Sequence, residues 1–136
     1  MDKDIESKFA KTFLQKRIQN RIIFELESDK KRKTAIYRFC HTTDDIVKPQ
    51  FVLYKTKKLT NNDILQIINE LITETSCYII CSFDEAIDGT KTTILNALLH
   101  CIGHGMPSII IIGEQIAIIE TEQEQGASYK YILHAI

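Results

Sequence analysis

Four consecutive isoleucines, at residues 109–112, constrain the fold of this chain more than any other feature of its sequence. Successive side chains of a β-strand point to opposite faces of the sheet, so this strand has apolar side chains on both faces. Such a strand keeps its side chains out of water only if both faces of the sheet are covered. We therefore expect residues 109–112 to form the central strand of a sheet that has helices on both sides.

Three stretches of the sequence predict helices. Apolar residues recur every three or four positions through residues 5–26, which indicates one helix, or two with a break between residues 14 and 20. Thr60, followed three residues later by Asp63, has the spacing of a helix N-terminus. Residues 90–102 predict a third amphipathic helix, whose inward side chains we expect to be Ile94, Leu95, Leu98, Leu99 and Ile102.

The segment between residues 20 and 40 has two interpretations. A helix over residues 29–40 places Ala35, Ile36, Phe39 and Cys40 on one face. A β-hairpin across the sequence DKKRK is the alternative, because apolar residues alternate with glutamates over residues 24–27. We prefer the helix.

The remaining apolar stretches predict strands at residues 51–55, 76–83, 108–113, 116–122 and 129–133. This order predicts an α+β (mixed α/β) fold in one domain, residues 1–136, with a helical N-terminus followed by a roughly five-stranded mixed sheet covered by helices. We expect parallel strands where helices cross over and antiparallel strands at the C-terminal end.

Composition places the chain in a reducing, aqueous compartment. No apolar run approaches the roughly 20 residues that span a bilayer, and the charged N-terminus lacks the apolar core of a secretion signal. We therefore expect a cytoplasmic protein whose four cysteines are free, buried thiols.

The net charge of −1 conceals a strong asymmetry. Residues 1–58 contain fifteen Lys and Arg against eight Asp and Glu, whereas residues 59–136 contain two Lys and Arg against ten Asp and Glu. A surface of one sign attracts partners of the other sign. The second half of the chain therefore predicts an anionic surface, and the alternative is that the charges only solvate two faces.

No motif in the sequence specifies a catalytic, metal or cofactor site. The sequence has the spacing of a zinc site, C-x3-C followed by H-x3-H, at Cys77, Cys81, His100 and His104. Cysteines four apart on a strand lie about 13 Å from each other, however, whereas thiolates that share one ion lie within about 4 Å. GTKTT also lacks the upstream glycine of a phosphate-binding loop. We expect no catalytic residues, no metal and no cofactor.

Two further groups of residues suggest alternative functions. Glu120 and Glu122 point to the same side of a strand, and with His41 or His104 they could form the acid and base of a small enzyme. A basic segment could bind nucleic acid, although no exposed aromatic residues alternate with its charges. That segment comprises Lys30, Lys31, Arg32, Lys33 and Arg38.

Protein binding is the function that the acidic half favours. Its carboxylates lie at strand ends or in the loops that follow, so several of them meet at one edge of a partly parallel sheet. Such a cluster resembles nucleic-acid phosphates in charge and fits the basic cleft of a nuclease. The predicted partner-binding residues are Asp84, Glu85, Asp88, Glu120, Glu122 and Glu124.

The sequence resembles small bacterial immunity proteins of polymorphic-toxin and contact-dependent growth inhibition systems. The segments that carry the resemblance are YRFCHTTDDIV, CYIICSFDEAIDGT, GHGMPSIIIIG and AIIETEQEQGASYKYIL. The resemblance covers most of the chain. It implies a cytoplasmic, non-enzymatic protein that binds and neutralises one cognate toxin, often a nuclease, with no direct contact to nucleic acid or membrane. Contact residues vary between toxin pairs, so the resemblance implies none at particular positions.

Overall fold

The computed structural model of the chain describes residues 1–123 and 126–135, which contain six α-helices, two short 3-10 helices and six strands. The helices are α1 (Lys3–Phe13), α2 (Gln19–Glu27), α3 (Arg32–His41), α4 (Thr43–Ile46), α5 (Asn61–Leu71) and α6 (Ile94–Cys101). The strands are β1 (Val52–Thr56), β2 (Ser76–Cys81), β3 (Lys91–Thr93), β4 (Ser108–Ile112), β5 (Ile116–Glu120) and β6 (Lys130–His134). Within this described part of the chain, no helix has the length and apolar character that crossing a bilayer requires.

The six strands form one open sheet in the order β1-β6-β5-β4-β2-β3, in which every neighbouring pair is antiparallel. The α+β class is confirmed, with six strands in place of about five. The additional strand is β3, a three-residue edge strand that pairs with β2.

The expected parallel pairs are absent from the described residues because each helical crossover joins strands that are not neighbours. The antiparallel pairings give β3 and β4, which α6 connects, the same direction, but β2 lies between them. Likewise β1 and β2, which α5 connects, share a direction and are separated by three strands. The two strands that a helical crossover joins therefore run in the same direction, as predicted. Other strands lie between them, so every hydrogen-bonded pair is antiparallel.

Strand β4 lies near the middle of the sheet, between β2 and β5, and all five of its residues are buried. Ile109 and Ile111 pack against α1–α4 on one face of the sheet. Ile110 and Ile112 pack against α5 and α6 on the other face. The prediction of a central strand covered by helices on both faces is confirmed.

The helical interpretation of the N-terminal half is also confirmed. α1 ends at Phe13 and α2 begins at Gln19, so the break falls where the periodicity predicted it. α3 spans Arg32–His41 and buries Ala35, Ile36, Phe39 and Cys40 on one face. The alternative β-hairpin is wrong, because this stripe has the period of a helix and packs against the sheet.

Two details of the C-terminal half differ from the prediction. The predicted helix over residues 90–102 begins later, at Ile94, because Lys91, Thr92 and Thr93 pair with β2. The side chains of Leu95 and Leu99 point outward, with 58% and 66% of their surface exposed. The sheet-facing stripe of α6 is formed by Ile94, Ala97, Leu98 and Cys101.

Candidate protein-binding surface

Two of the six predicted contact residues have buried side chains. Glu120 ends β5 with 0% of its surface exposed, and its carboxylate accepts hydrogen bonds from three consecutive backbone N–H groups. These belong to Gly103 (2.8 Å to Oε1), His104 (3.2 Å to Oε2) and Gly105 (3.1 Å to Oε2). Lys130 Nζ, also buried, lies 3.6 Å from Oε1. The prediction that Glu120 faces a partner is wrong, because this carboxylate instead holds the loop after α6 against the sheet.

Asp88 is buried by a different contact. Both of its carboxylate oxygens accept hydrogen bonds from Arg32, at 2.7 Å from Nε and 2.9 Å from Nη2. Oδ1 also accepts from the Cys81 backbone N–H at 3.1 Å. With 8% of its side chain exposed, Asp88 is not available to a partner, so its predicted role is also corrected.

Arg32 is the centre of a buried ionic cluster that joins both halves of the chain. Its Nη1 and Nη2 donate to the two carboxylate oxygens of Glu6 at 2.6 and 2.7 Å, and Nη1 also donates to the Leu26 carbonyl at 3.0 Å. Together with the bonds to Asp88, these contacts use all five guanidinium N–H groups. The Tyr78 hydroxyl donates to Glu6 Oε2 at 2.5 Å and accepts from the Asp2 N–H at 3.0 Å. The cluster thereby fixes α1, α3, β2 and the loop before β3 to one another.

The surroundings of the cluster shift the pKa values of two of its members upward. Burial opposes the charge on Arg32, but hydrogen bonds from Arg32 to Asp88 and Glu6 outweigh that effect and raise the pKa of the guanidinium. Burial, reinforced by the hydrogen bond to Glu6, raises the pKa of the Tyr78 hydroxyl far above its usual value. Both shifts favour the protonated forms that the hydrogen bonds need, a charged Arg32 and a neutral Tyr78.

The cluster was missed by sequence reasoning, which assigned Arg32 to a surface basic segment. One signal was available in α1, where Glu6 lies three, four and seven residues before Phe9, Ala10 and Phe13. All four of these residues are buried on the same helical face. A carboxylate on an apolar stripe requires a buried cation or donor, so its position predicts a partner elsewhere in the chain.

Of the other predicted contact residues, Asp84 and Glu85 lie in the loop after β2. Asp84 Oδ1 accepts from the Ala86 N–H at 2.9 Å, and the exposed Glu85 forms a surface ion pair with Lys33 at 2.7 Å. Glu122 is half-buried beside a cleft, and Glu124 lies outside the described residues. The five carboxylates within the described residues therefore do not form the single surface cluster that the sequence predicted.

The structure separates charge in a different way, between the two layers of helices. Residues 3–46, which contain α1–α4, have eleven Lys and Arg against seven Asp and Glu. Residues 59–75, which contain α5, have three exposed acidic residues, Asp63, Glu70 and Glu74, and no Lys or Arg. Residues 92–113, which contain α6, have no charged residue. Because α1–α4 cover one face of the sheet and α5 and α6 the other, the sequence asymmetry becomes an asymmetry between two faces.

We call the outer surface of α5 and α6, with the loops at residues 72–75 and 102–107, the α5–α6 face. The two helices pack side by side over the sheet, and Asn61 Nδ2 of α5 donates to the Leu98 carbonyl of α6 at 3.4 Å. On this face α5 and the loop after it carry exposed carboxylates, and the neighbouring helix α6 carries exposed leucines. An uncharged apolar area beside acidic residues is the composition of a protein-binding surface.

The four residues of the alternative function, a small enzyme, do not all meet in one cleft. Glu122 and His41 line a cleft of about 650 Å³ between α3, α4 and the end of the sheet, whereas the loop at residues 103–105 encloses the Glu120 carboxylate. His104 Nε2 lies 2.8 Å from the Leu99 carbonyl, folded back on α6. The described residues contain no group of three or more His, Cys, Asp or Glu arranged to hold a metal.

Asp44, in the same cleft, is already engaged. Its carboxylate lies 2.5 Å from Lys55 Nζ and accepts from the Tyr131 hydroxyl at 2.8 Å. The hydrogen bond from Lys55, helped by the bond from Tyr131, holds the pKa of Asp44 below its usual value despite partial burial. This geometry gives the carboxylate a structural role between α4, β1 and β6.

The basic segment is largely paired within the protein. Arg32 is buried, Arg38 forms an ion pair with Glu25, and Lys33 forms one with Glu85. The ammonium of Lys31 lies 5.1 Å from the centre of the exposed Phe24 ring. These contacts leave less positive charge for phosphates than the sequence suggests.

All four cysteines are free and buried, as predicted. Burial raises the pKa of Cys77 and Cys101 to about 12 and that of Cys81 to about 11. Burial also raises the pKa of Cys40, which lies in the opposite core. Burial and the raised pKa values both favour the protonated thiol, which is the less reactive form.

Comparison with protein-family models, curated protein sequences and solved structures found no match to this chain. The resemblance to bacterial immunity proteins therefore stays a prediction.

Proposed function

We propose that this protein is a toxin inhibitor of the immunity type, which binds a cationic toxin domain in the cytoplasm and blocks it without catalysis. The observation that carries the proposal is the separation of charge across the sheet, with the anionic and uncharged residues on the α5–α6 face. A basic nuclease domain is the class of toxin that this charge fits, because its active cleft is built to hold phosphates.

The location of the acidic residues within the proposed surface differs from the sequence prediction. Asp88 and Glu120 are used inside the protein, and Asp63, Glu70 and Glu74 are exposed on the α5–α6 face. Carboxylates at the rim of an interface mainly accelerate association, since their field steers the partner before contact. The proposal therefore assigns Glu70 and Glu74 to steering. Asp63 is set aside because it also caps α5.

The arrangement of side chains supports a binding function better than a catalytic one. Four ionisable groups with several hydrogen bonds each hold two or more parts of the fold together: Arg32, Asp88, Glu120 and Asp44. A catalytic group needs instead to reach a substrate from a cavity. The exposed charges are distributed by face, which is the arrangement that recognition of a charged macromolecule uses.

The test uses the inactivated C-terminal domain of the toxin encoded beside the gene for this chain. Association rates are measured by stopped flow or surface plasmon resonance between 50 and 500 mM salt. We expect nanomolar binding, an association rate that falls with salt, and restored growth when this chain is coexpressed with the active toxin. The absence of such a toxin gene, or of binding and rescue, would refute the proposed function.

Two double variants with equal changes in net charge identify the face. Glu70→Lys with Glu74→Lys reverses charge on the α5–α6 face, whereas Glu27→Lys with Asp29→Lys reverses two exposed charges on the opposite layer. We expect the first pair to lower the association rate about ten-fold and the second about two-fold or less. Equal effects of the two pairs would show that net charge alone governs binding.

A further inference from the structure

The two most exposed leucine side chains of the described residues lie on α6. Leu95 and Leu99 are four residues apart, so they lie one above the other on the same face of the helix. Met106, in the loop that follows, is also exposed. We call these three residues the α6 patch. Apolar side chains at these positions do not stabilise the core, because the sheet-facing stripe of α6 is already formed by its other residues.

The α6 patch differs from two exposed aromatic residues elsewhere on the protein, Phe24 and Tyr129. A lysine ammonium lies over the exposed ring of Phe24, and two lie over that of Tyr129, at 4.8 to 5.1 Å from the ring centres. The α6 patch lies instead within residues 92–113, which carry no charged side chain, and its leucines have no π face to hold a cation. Depletion of charge around exposed apolar side chains characterises the core of a protein interface.

The loop that carries Met106 is held in place by the buried Glu120 carboxylate. Three consecutive N–H groups of this loop bind that carboxylate, and His104 folds back to the Leu99 carbonyl. The Gln123 N–H also donates to the Gly105 carbonyl at 2.9 Å. A surface fixed in this way loses little conformational entropy when a partner covers it.

The charges near the α6 patch indicate the chemistry of its occupant. The only charged residues of the neighbouring helix α5 and of the loop after it, residues 72–75, are carboxylates: Asp63, Glu70 and Glu74. A partner that buries the leucines therefore matches this surface if it presents an apolar side chain surrounded by Lys or Arg. A second copy of this chain fits poorly at the same place, because a two-fold contact would bring the α5 carboxylates of both copies together.

We propose that the α6 patch is the contact at which a cationic protein domain docks, with apolar side chains of the partner packed on Leu95 and Leu99 and basic side chains of the partner facing the α5 carboxylates. The inference rests on the proposed function and specifies which part of the α5–α6 face supplies affinity. The leucines slow dissociation and the carboxylates accelerate association.

The test measures binding of the inactivated toxin domain to a variant that carries Leu95→Ser and Leu99→Ser. We expect at least about a 30-fold loss of affinity, mostly in the dissociation rate, with an unchanged dependence of the association rate on salt. Phe24→Ser and Leu53→Ser are matched controls, because both residues are exposed, at 62% and 46%, and lie outside the α6 patch. We expect these controls to bind within about two-fold of the wild type.

The outcomes separate the two proposals. The docking contact is refuted if the leucine variant binds within two-fold of the wild type. It is also refuted if a control variant loses as much affinity as the leucine variant. Either result would leave the proposed function standing. No binding by the wild type would refute the proposed function, and the docking contact with it. Because the leucines are exposed, we expect the leucine variant to keep wild-type stability in urea. Leu99→Arg adds a cation to the patch, so we expect it to weaken binding further.

Discussion

Replacement of Arg32 by Met tests how the two halves of the chain are joined. The substitution removes four hydrogen bonds to carboxylates, of 2.6 to 2.9 Å, and leaves Glu6 and Asp88 as two buried negative groups without their cation. Removal of one partner from a buried ion pair costs about 3–5 kcal/mol, chiefly because the remaining charge is uncompensated. For a domain whose whole stability is about 5–15 kcal/mol, this is a large fraction. We expect the melting temperature to fall by about 10–20 °C.

The assay is urea unfolding followed by far-UV circular dichroism, since the chain has no tryptophan. A triple variant with Glu6→Gln, Arg32→Met and Asp88→Asn removes every charge of the cluster, so we expect it to recover at least half of the lost stability. Lys33→Met, at the exposed neighbouring position, is the control and has no measurable effect. A loss below about 1 kcal/mol for Arg32→Met, or a triple variant no better than the single one, would refute the reasoning.

Three further predictions concern other buried and paired groups. Glu120→Gln removes the charge that binds three N–H groups and Lys130, so we expect the free energy of unfolding in urea to fall by about 3 kcal/mol. We expect a fall of under about 0.5 kcal/mol for the control Glu122→Gln. Equal losses would contradict the structural role of Glu120. The four cysteines react with a thiol reagent at pH 8 only after unfolding, because burial raises their pKa values, and rapid labelling of the folded protein would contradict this. Lys55 lowers the folded pKa of Asp44, so the stability from this pair is present at neutral pH and lost as pH falls below about 4. Asp44→Asn should therefore flatten the dependence of stability on pH between 5 and 3, and an unchanged slope would exclude the pair as a source of acid sensitivity.

The strongest periodicities in the sequence predicted the architecture. The run at residues 109–112 predicted a strand covered on both faces because side-chain direction in a strand depends only on its period of two. The break after Phe13 and the helix over residues 32–41 followed from the period of a helix in the same way. The antiparallel pairs at the C-terminal end, β4 with β5 and β5 with β6, are confirmed. The insertion of β2 between β3 and β4 was not predictable, because the period of a strand does not specify its neighbours in the sheet.

The candidate site was harder to predict than the fold. A carboxylate at a strand end is compatible with solvent, with a partner or with a turn of the same chain. Only tertiary structure brings the amides of residues 103–105 to Glu120, or Arg32 to Asp88. Leu95 and Leu99 were assigned to the core because both are apolar. A helix packed on one sheet face buries a limited stripe, however, and these two residues lie beyond its edge.

Hydrogen exchange of this chain, alone and saturated with the inactivated toxin domain, tests the central claim most directly. We expect the partner to slow exchange in peptides that cover residues 94–107, and in α5, with no change in α2 and α3. Exchange is measured at matched pH and salt, so that only the contact differs between the two samples. Protection confined to α1–α4 or to the β1 edge, with residues 94–107 exchanging as in the free protein, would contradict the claim that the α5–α6 face binds the toxin.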